Sequence, residues 1–338
     1  MTASTTSTAP PTEEERVARL LRTFLSARQD ASGRISDLRR AGSGRSRDNW
    51  LFDLVDDGDR EPLILRTDPD GGLIETDRAV EFGVLRALEG SGLPTPVARW
   101  LDADGSALAR PSLIMRRLPG VCDYRVLRNP DRPLDERIRL AHSFCELLAR
   151  VHAVRWRELG LDRVLTDPGP PAARAELDRW TDILRTDQLE PWPELEYASS
   201  VLAARAPRSP DTVLVHADFK PGNILLDGDR ITALLDWELA HLGDPLEDLG
   251  WVTQPLRAGE HTIEGSWHAE DLIAHYEAVT GAPVDRTALA WWTAYSSFKT
   301  AVMQVSGLRA FLEGRAEEPY RPHRRVLATL LDAVEKLP

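Results

Sequence analysis

The sequence predicts an α+β protein of two lobes, a small antiparallel β lobe followed by a larger, mostly α-helical one. Three observations carry this. Short apolar segments separated by Gly- and Asp-rich turns occupy residues 35–117. Beyond residue 120 the pattern is largely helical. Between them, Leu118-Pro119-Gly120 reads as a hinge. A chain of 338 residues is also long enough for two domains of roughly 100–200 residues. The expected division is a disordered tail over 1–12, a first lobe over 13–117 and a second over 118–338.

The tail is Ser, Thr, Ala and Pro with little to bury. Thr12 and Glu15 have the spacing of a capping box, and Val17, Leu20, Leu21, Phe24 and Leu25 then form one apolar stripe, which predicts a docking helix. Ile35–Ala41, Asn49–Val55 and Pro62–Arg66 are predicted strands joined by hairpins, one of them through Asp56-Asp57-Gly58-Asp59. Residues 75–90 return to helical spacing, with Val80, Val84, Leu85 and Leu88 on one side. Two more strands, Val97–Leu101 and Ser112–Arg117, precede the hinge. Beyond it, Ile138, Ala141, Phe144, Leu147, Leu148 and Val151 mark a long amphipathic helix. The helical pattern breaks at 213–235, where VLVH, NILL and ITALL are β-type runs, the last two joined by Asp227-Gly228-Asp229. Residues 270–336 are helical again, and Trp291-Trp292 reads as core packing.

Composition excludes several classes. There are 54 acidic and 42 basic residues, a net charge of −12, and no basic face, so general nucleic-acid binding is not expected. No apolar run approaches the ~18 residues of a membrane span. The opening MTASTTSTAPPTEEER has neither the basic nor the apolar region of a signal peptide, so a soluble, cytoplasmic protein is expected. Cys122 and Cys145 alone make neither a disulfide framework nor a multi-cysteine zinc site.

The stretch that carries chemistry is His216-Ala217-Asp218-Phe219-Lys220-Pro221-Gly222-Asn223, followed by Asp236 after ITALL. If NILL and ITALL form a hairpin, Asp218 and Asn223 sit at one end and the second strand returns Asp236 to it. Two carboxylates and an amide oxygen there suit a hard cation such as magnesium, shared with substrate phosphates. A carboxylate beside that cation can take a proton from an attacking hydroxyl, and Lys220 can offset charge on a transferring phosphoryl group. These are the parts that phosphoryl transfer needs.

HxDxKPxN followed by an Asp on the next strand resembles the catalytic loop and metal-binding Asp of the protein-kinase-like superfamily. More narrowly, HADFKPGNILL and LLDWELAHLGDPLEDLGW resemble the aminoglycoside phosphotransferase family, in the branch that includes kinase-like domains fused to some acyl-CoA dehydrogenases. The resemblance implies a protein-kinase-like two-lobed fold. It implies Asp218 as the hydroxyl-orienting base, Asn223 and Asp236 as magnesium ligands, Lys220 near the γ-phosphate and His216 as a brace of the loop. Asp244 and Asp248 would buttress that loop and cap a helix. Glu238 would share the side of Asp236 if the strand continued.

In the first lobe, the resemblance places a phosphate-covering loop at Gly42-Ser43-Gly44-Arg45-Ser46-Arg47, where the amides of Gly42, Ser43, Gly44 and Ser46 can approach phosphate oxygens. Arg66 stands where the superfamily has a phosphate-binding lysine, a departure that keeps a permanent positive charge and allows bidentate binding. Glu81 is its expected ion-pair partner, with Glu75 in reserve. Met115, Arg116, Arg117 and Leu118 fall where adenine meets backbone hinge groups.

The function implied is an ATP- or GTP-dependent phosphotransferase acting on a hydroxyl of a small-molecule acceptor, aminoglycoside-like or another hydroxylated metabolite. No A-P-E segment follows Asp236, which disfavours a protein substrate. Two alternatives remain: a nucleotide-binding pseudokinase scaffold, suggested by Arg66, and a metal-dependent hydrolase built on His216, Asp218, Asp236 and Asp244. Acceptor identity and oligomeric state are not encoded in these motifs.

Overall fold

The computed structural model describes residues 12–41, 48–67, 77–209, 211–316 and 318–338. The N-terminal tail, the expected phosphate loop with Gly42, Ser43, Gly44 and Ser46, and Glu75 lie outside the described residues.

Helix α1 (Glu13–Ser26) starts at the predicted capping box. The Thr12 amide donates to Glu15 Oε2 at 2.9 Å, and the Glu15 amide donates to Thr12 Oγ1 at 3.2 Å. Its buried side chains, Leu21, Phe24 and Leu25, join the core of a five-stranded antiparallel sheet. The strands are β1 (Arg34–Arg40), β2 (Asp48–Asp56), β3 (Asp59–Thr67), β4 (Ala98–Asp102) and β5 (Ser112–Arg116), in the order β1-β2-β3-β5-β4. β2 and β3 meet with Asp56 opposite Asp59. The two turn residues between them, Asp57 and Gly58, have φ of 45° and 95°, as a tight two-residue hairpin requires. Trp50, Phe52 and Leu54 alternate along β2, so all three face one side. They pack with Leu63, Leu65, Trp100 and Ile114, and burying each such side chain is worth about 1.5–3 kcal/mol.

The described residues form two compact units. One holds residues 12–67 with Ala98–Arg117, the other residues 77–97 with Leu118–Pro338. Helix α2 (Arg78–Leu88) therefore groups with the larger unit, whereas the sequence division at 117 put it in the first lobe. Packing explains the difference. A Cβ on Gly83 would stand 2.8 Å from Val164, and the Leu234 amide donates to Pro94 O at 2.7 Å, so the segment is tied to the larger unit at both places.

The larger unit is built on α9 (Arg286–Leu312), buried along most of its length. Trp291, Trp292, Tyr295, Phe298, Val302 and Val305 pack with residues of α4 (Ala172–Asp187), α5 (Pro193–Ala204) and α10 (Arg324–Glu335). The tryptophan pair thus serves as core. Helix α6 (Pro245–Thr253) also lies on α9, and at Gly250 the approach is backbone to backbone. A Cβ there would be 2.6 Å from the Trp292 carbonyl carbon, which no side chain tolerates. Helices α3 (Leu134–His152) and α8 (Ala269–Thr280) pack together, and α7 (Ala258–His261) is a single turn.

Two short two-stranded ribbons interrupt the helices. β7 (Ile224–Asp227) and β8 (Arg230–Leu234) form the expected hairpin. β6 (Val213–Val215), however, pairs with β9 (His241–Gly243), a strand not visible in the sequence pattern. The predicted hinge runs alongside the hairpin. Val121 and Leu226 exchange backbone hydrogen bonds of 2.9 and 3.0 Å, and Gly120, at φ 125°, lies too close to Leu226 O to carry a Cβ. Among the described residues, no helix is long and apolar enough to cross a membrane.

Candidate active site

The loop between β6 and β7 is held from below by its backbone. The amides of His216 and Ala217 donate to the two carboxylate oxygens of Asp248 on α6, each at 2.8 Å. Burial works to raise the pKa of Asp248, but its hydrogen bonds from His152 and from the His216 amide outweigh it, so the carboxylate is held below its usual range. His152 in turn contacts the Tyr276 hydroxyl at 2.7 Å. The His216 ring meets Leu235 O at 2.9 Å through Nε2, and its Nδ1 accepts from the Asp218 amide at 3.3 Å. Complete burial lowers its pKa and favours the neutral ring. His216 therefore braces the loop against Leu235, just after β8, and Asp248 braces it against α6.

Asp244 caps α6 by accepting from the Leu246 amide at 2.8 Å and takes a second hydrogen bond of 2.6 Å from Ser209. His241 contacts Leu239 O and Glu247. His152 and His241 thus both have partners within the protein.

The chemistry-bearing side chains converge on Asp218. Its Oδ2 accepts from Lys220 Nζ at 2.6 Å and from Asn223 Nδ2 at 3.0 Å, while its Oδ1 is buried and has no hydrogen-bond partner. The Asn223 amide nitrogen also donates to Asp218 O at 3.0 Å, which directs the amide group and leaves its side-chain oxygen outside these bonds. Pro221–Asn223 forms one 3-10 turn, for which the fixed φ of Pro221 is suited. The Leu235 amide donates to Asn223 O at 2.8 Å, so the chain enters Asp236 directly beside Asn223. Asp236 then adopts a left-handed conformation, φ 63° and ψ 56°, and leads into the 3-10 turn Trp237–Leu239. The strand does not continue past Asp236, so alternation does not put Glu238 on its side.

The side-chain oxygen of Asn223 and the carboxylate of Asp236, brought to one end of a hairpin, offer oxygen donors only, and the orphaned Asp218 oxygen stays outside that pair. The pair fits a magnesium ion.

Arg66 is buried on β3, and Glu81 is buried on α2, where it is ion-paired with buried Arg78. They belong to different compact units. Met115 is buried on β5. Arg116 pairs with Glu61 at 2.7 Å and Arg117 with Asp53 at 2.7 Å, and the Arg117 amide donates to Pro62 O. The side chains of Arg116 and Arg117 are thus engaged in the sheet.

Comparison with known proteins accords with this geometry. The family model described as the phosphotransferase enzyme family matches residues 37–292. The chain belongs to that family. A relative of this phosphotransferase-family chain is acyl-CoA dehydrogenase family member 11 of Gallus gallus, 30% identical over 319 residues. That match covers 85% of this chain but 38% of the relative, so the chain spans little more than a third of that protein's length. Among solved structures, a Ralstonia eutropha protein ascribed to the aminoglycoside phosphotransferases matches with a TM-score of 0.74 at 21% identity, covering 95% of this chain and 98% of the other. A thermostable mutant of aminoglycoside phosphotransferase APH(4)-Ia, in ternary complex with ADP and hygromycin B, matches with a TM-score of 0.58 at 18% identity, covering 95% and 97%. These likenesses establish the protein-kinase-like two-lobed fold.

Sequence reasoning missed a buried ionic group beneath the loop: Lys299 of α9, Glu247 of α6 and Glu176 of α4. Lys299 Nζ lies 3.2 Å from Glu247 Oε1, and Tyr295 donates to Glu176 at 3.0 Å. Burial opposes the charge on Glu176, but His241, Arg179 and Lys299 outweigh it and hold its pKa down to about 2. Burial likewise opposes a charged His241, yet Glu176 and Glu247 lift its pKa to about 9. The ligand atoms of Glu176, His241 and Glu247 lie within 4.8 Å of one another, a spacing that could suit a metal. Lys299, Arg179 and protonated His241 already offset both carboxylates there, so the group is an ion network. The signal in the sequence was Lys299 as the single charged residue between Arg286 and Arg309.

Proposed function

We propose that the protein transfers the γ-phosphoryl group of ATP or GTP to a hydroxyl of a small molecule, an aminoglycoside-like compound or another hydroxylated metabolite. The observation that carries this reading is the state of Asp218. One carboxylate oxygen is saturated by Lys220 and Asn223, and the other is buried without a partner. That second oxygen is the atom to receive an acceptor hydroxyl.

On this reading Asn223 and Asp236 would hold magnesium, which when bound draws charge from the nucleotide phosphates. Asp218 orients the hydroxyl and takes its proton at Oδ1 as the acceptor oxygen bonds to the γ-phosphorus and the bond from that phosphorus to the departing nucleoside diphosphate breaks. Lys220, already fixed against Asp218, supplies positive charge toward the transferring group. Arg66, with Glu81 as its assigned partner, and the 42–47 segment are the phosphate-binding elements proposed for the nucleotide, and the backbone of 115–118 its adenine contact. The hydrolase alternative needs His216 and Asp244 at a metal, but both ring nitrogens of His216 and both carboxylate oxygens of Asp244 already have partners within the protein.

The test is a calorimetric titration with ATP and GTP, with and without magnesium. Magnesium should strengthen nucleotide binding in the wild type, and Asp236→Ala should abolish that gain. Asp218→Asn should bind magnesium–nucleotide normally while losing turnover by about a thousandfold or more. Failure of both nucleotides to bind under any condition would sink this reading, and normal binding without transfer to any hydroxyl would favour the scaffold.

A further inference from the structure

Ala217, the residue before Asp218, has φ 66°, a left-handed conformation that is strained for a residue with a Cβ. Such a conformation persists only where its surroundings over-determine it. Two side chains of opposite charge do so here. The Ala217 amide donates to Asp248 Oδ1 at 2.8 Å, and the Ala217 carbonyl accepts from Lys299 Nζ at 3.0 Å. Asp248 comes from α6 and Lys299 from α9, both are buried, and the two helices touch through Gly250.

The ammonium of Lys299 has a second partner, Glu247 Oε1, at 3.2 Å. Glu247 is itself supported from the other side, where its Oε2 lies 3.0 Å from His241 Nε2, and His241 lies 3.6 Å from Glu176. The chain Glu176–His241–Glu247–Lys299 therefore runs through the helical core and ends on a backbone oxygen adjoining the candidate base. A lysine that only neutralised Glu247 would have no need to reach that oxygen.

We propose that Lys299 is a positioning residue for phosphoryl transfer: by holding the Ala217 carbonyl against α9 it fixes the backbone conformation from which Asp218 is aimed. The effect on turnover rests on the phosphotransferase reading above. The clamp itself does not, and it can be measured without a substrate.

The experiment compares wild type, Lys299→Met, and Lys299→Met combined with Glu247→Gln, which removes the buried charge left behind by the first change. Hydrogen exchange of the backbone amides over 213–224, thermal midpoint, magnesium–ATP affinity and magnesium–ATP hydrolysis without acceptor are read on each. Both variants should exchange these amides at least tenfold faster and hydrolyse ATP at least tenfold more slowly, with nucleotide affinity within about twofold of wild type. The double variant should recover thermal midpoint but neither of the other two quantities. Wild-type exchange and hydrolysis in the double variant would overturn the proposal by reducing Lys299 to a counter-ion of Glu247. Loosening spread evenly over α6 and α9 would overturn it as well. A wild-type protein that neither binds nor hydrolyses magnesium–ATP would defeat the phosphotransferase reading, while the exchange comparison would still decide for or against the clamp.

Discussion

Asp53 in the sheet and Glu247 in the helical core are both buried acids, and each has two cationic partners. Asp53 is met by Arg60 at 3.0 Å and Arg117 at 2.7 Å, whose side chains are 57% and 26% exposed. Glu247 is met by Lys299 and His241, 2% and 15% exposed. The sheet acid is neutralised by cations that keep their water. The core acid is neutralised by cations that have given theirs up, and one of these also holds the loop before Asp218. The same kind of ion pair is thus a local support in one unit and part of a continuous internal framework in the other.

The largest expected effect comes from breaking the core pair. Glu247→Leu leaves Lys299 charged, buried and bonded only to a carbonyl, which should cost about 3–5 kcal/mol in urea denaturation. A loss below about 1 kcal/mol would erase the distinction between the two acids.

Next comes pH. His241 is lifted from its ordinary 6.5 to about 9 by Glu176 and Glu247 against the opposing effect of burial. A raised pKa means that its contribution to stability is complete below pH 6.5 and is lost as pH climbs through 9. Glu176, held down to about 2, contributes above its ordinary 4.5 and loses that contribution as pH falls toward 2. The cluster should therefore be strongest between these limits. The thermal midpoint should drop by several degrees from pH 6.5 to 9, and His241→Gln should flatten that part of the profile. An unchanged slope would remove His241 from the framework.

The smallest effect belongs to the sheet. Asp53→Asn should cost about 1 kcal/mol, because Arg60 and Arg117 can turn to solvent. A cost equal to that of Glu247→Leu would break the comparison from the other side.

What could be read from the sequence was what is local. The capping box, the Asp57-Gly58 turn and the 3.6-residue stripes depend on neighbours in the chain, so each appeared where expected. The candidate segment was legible for the same reason: Asp218, Lys220 and Asn223 lie within six residues, and a single hairpin brings Asp236 back to them. The pairing of β6 with β9 was not, because three-residue strands separated by the whole hairpin carry no periodic signal. The side taken by Glu238 depended on whether the strand continued, and it does not: β8 ends at Leu234 and Asp236 is left-handed. Lys299 showed only as the single charge between Arg286 and Arg309, and its partners are fixed by the crossing of α6 on α9, which no local pattern encodes.

The separation in sequence between the loop and its anchors has a consequence for synthesis. The His216 and Ala217 amides wait for Asp248, 32 and 31 residues later, and the Ala217 carbonyl waits for Lys299, 82 residues later. Closing contacts that distant is slow and comes late in folding. A ribosome translating from the N-terminus will therefore have the motif residues in hand long before the segment that gives them their final geometry has emerged. A nascent protein halted ahead of α9 would carry every residue of the HxDxKPxN motif with its Ala217 carbonyl still lacking Lys299.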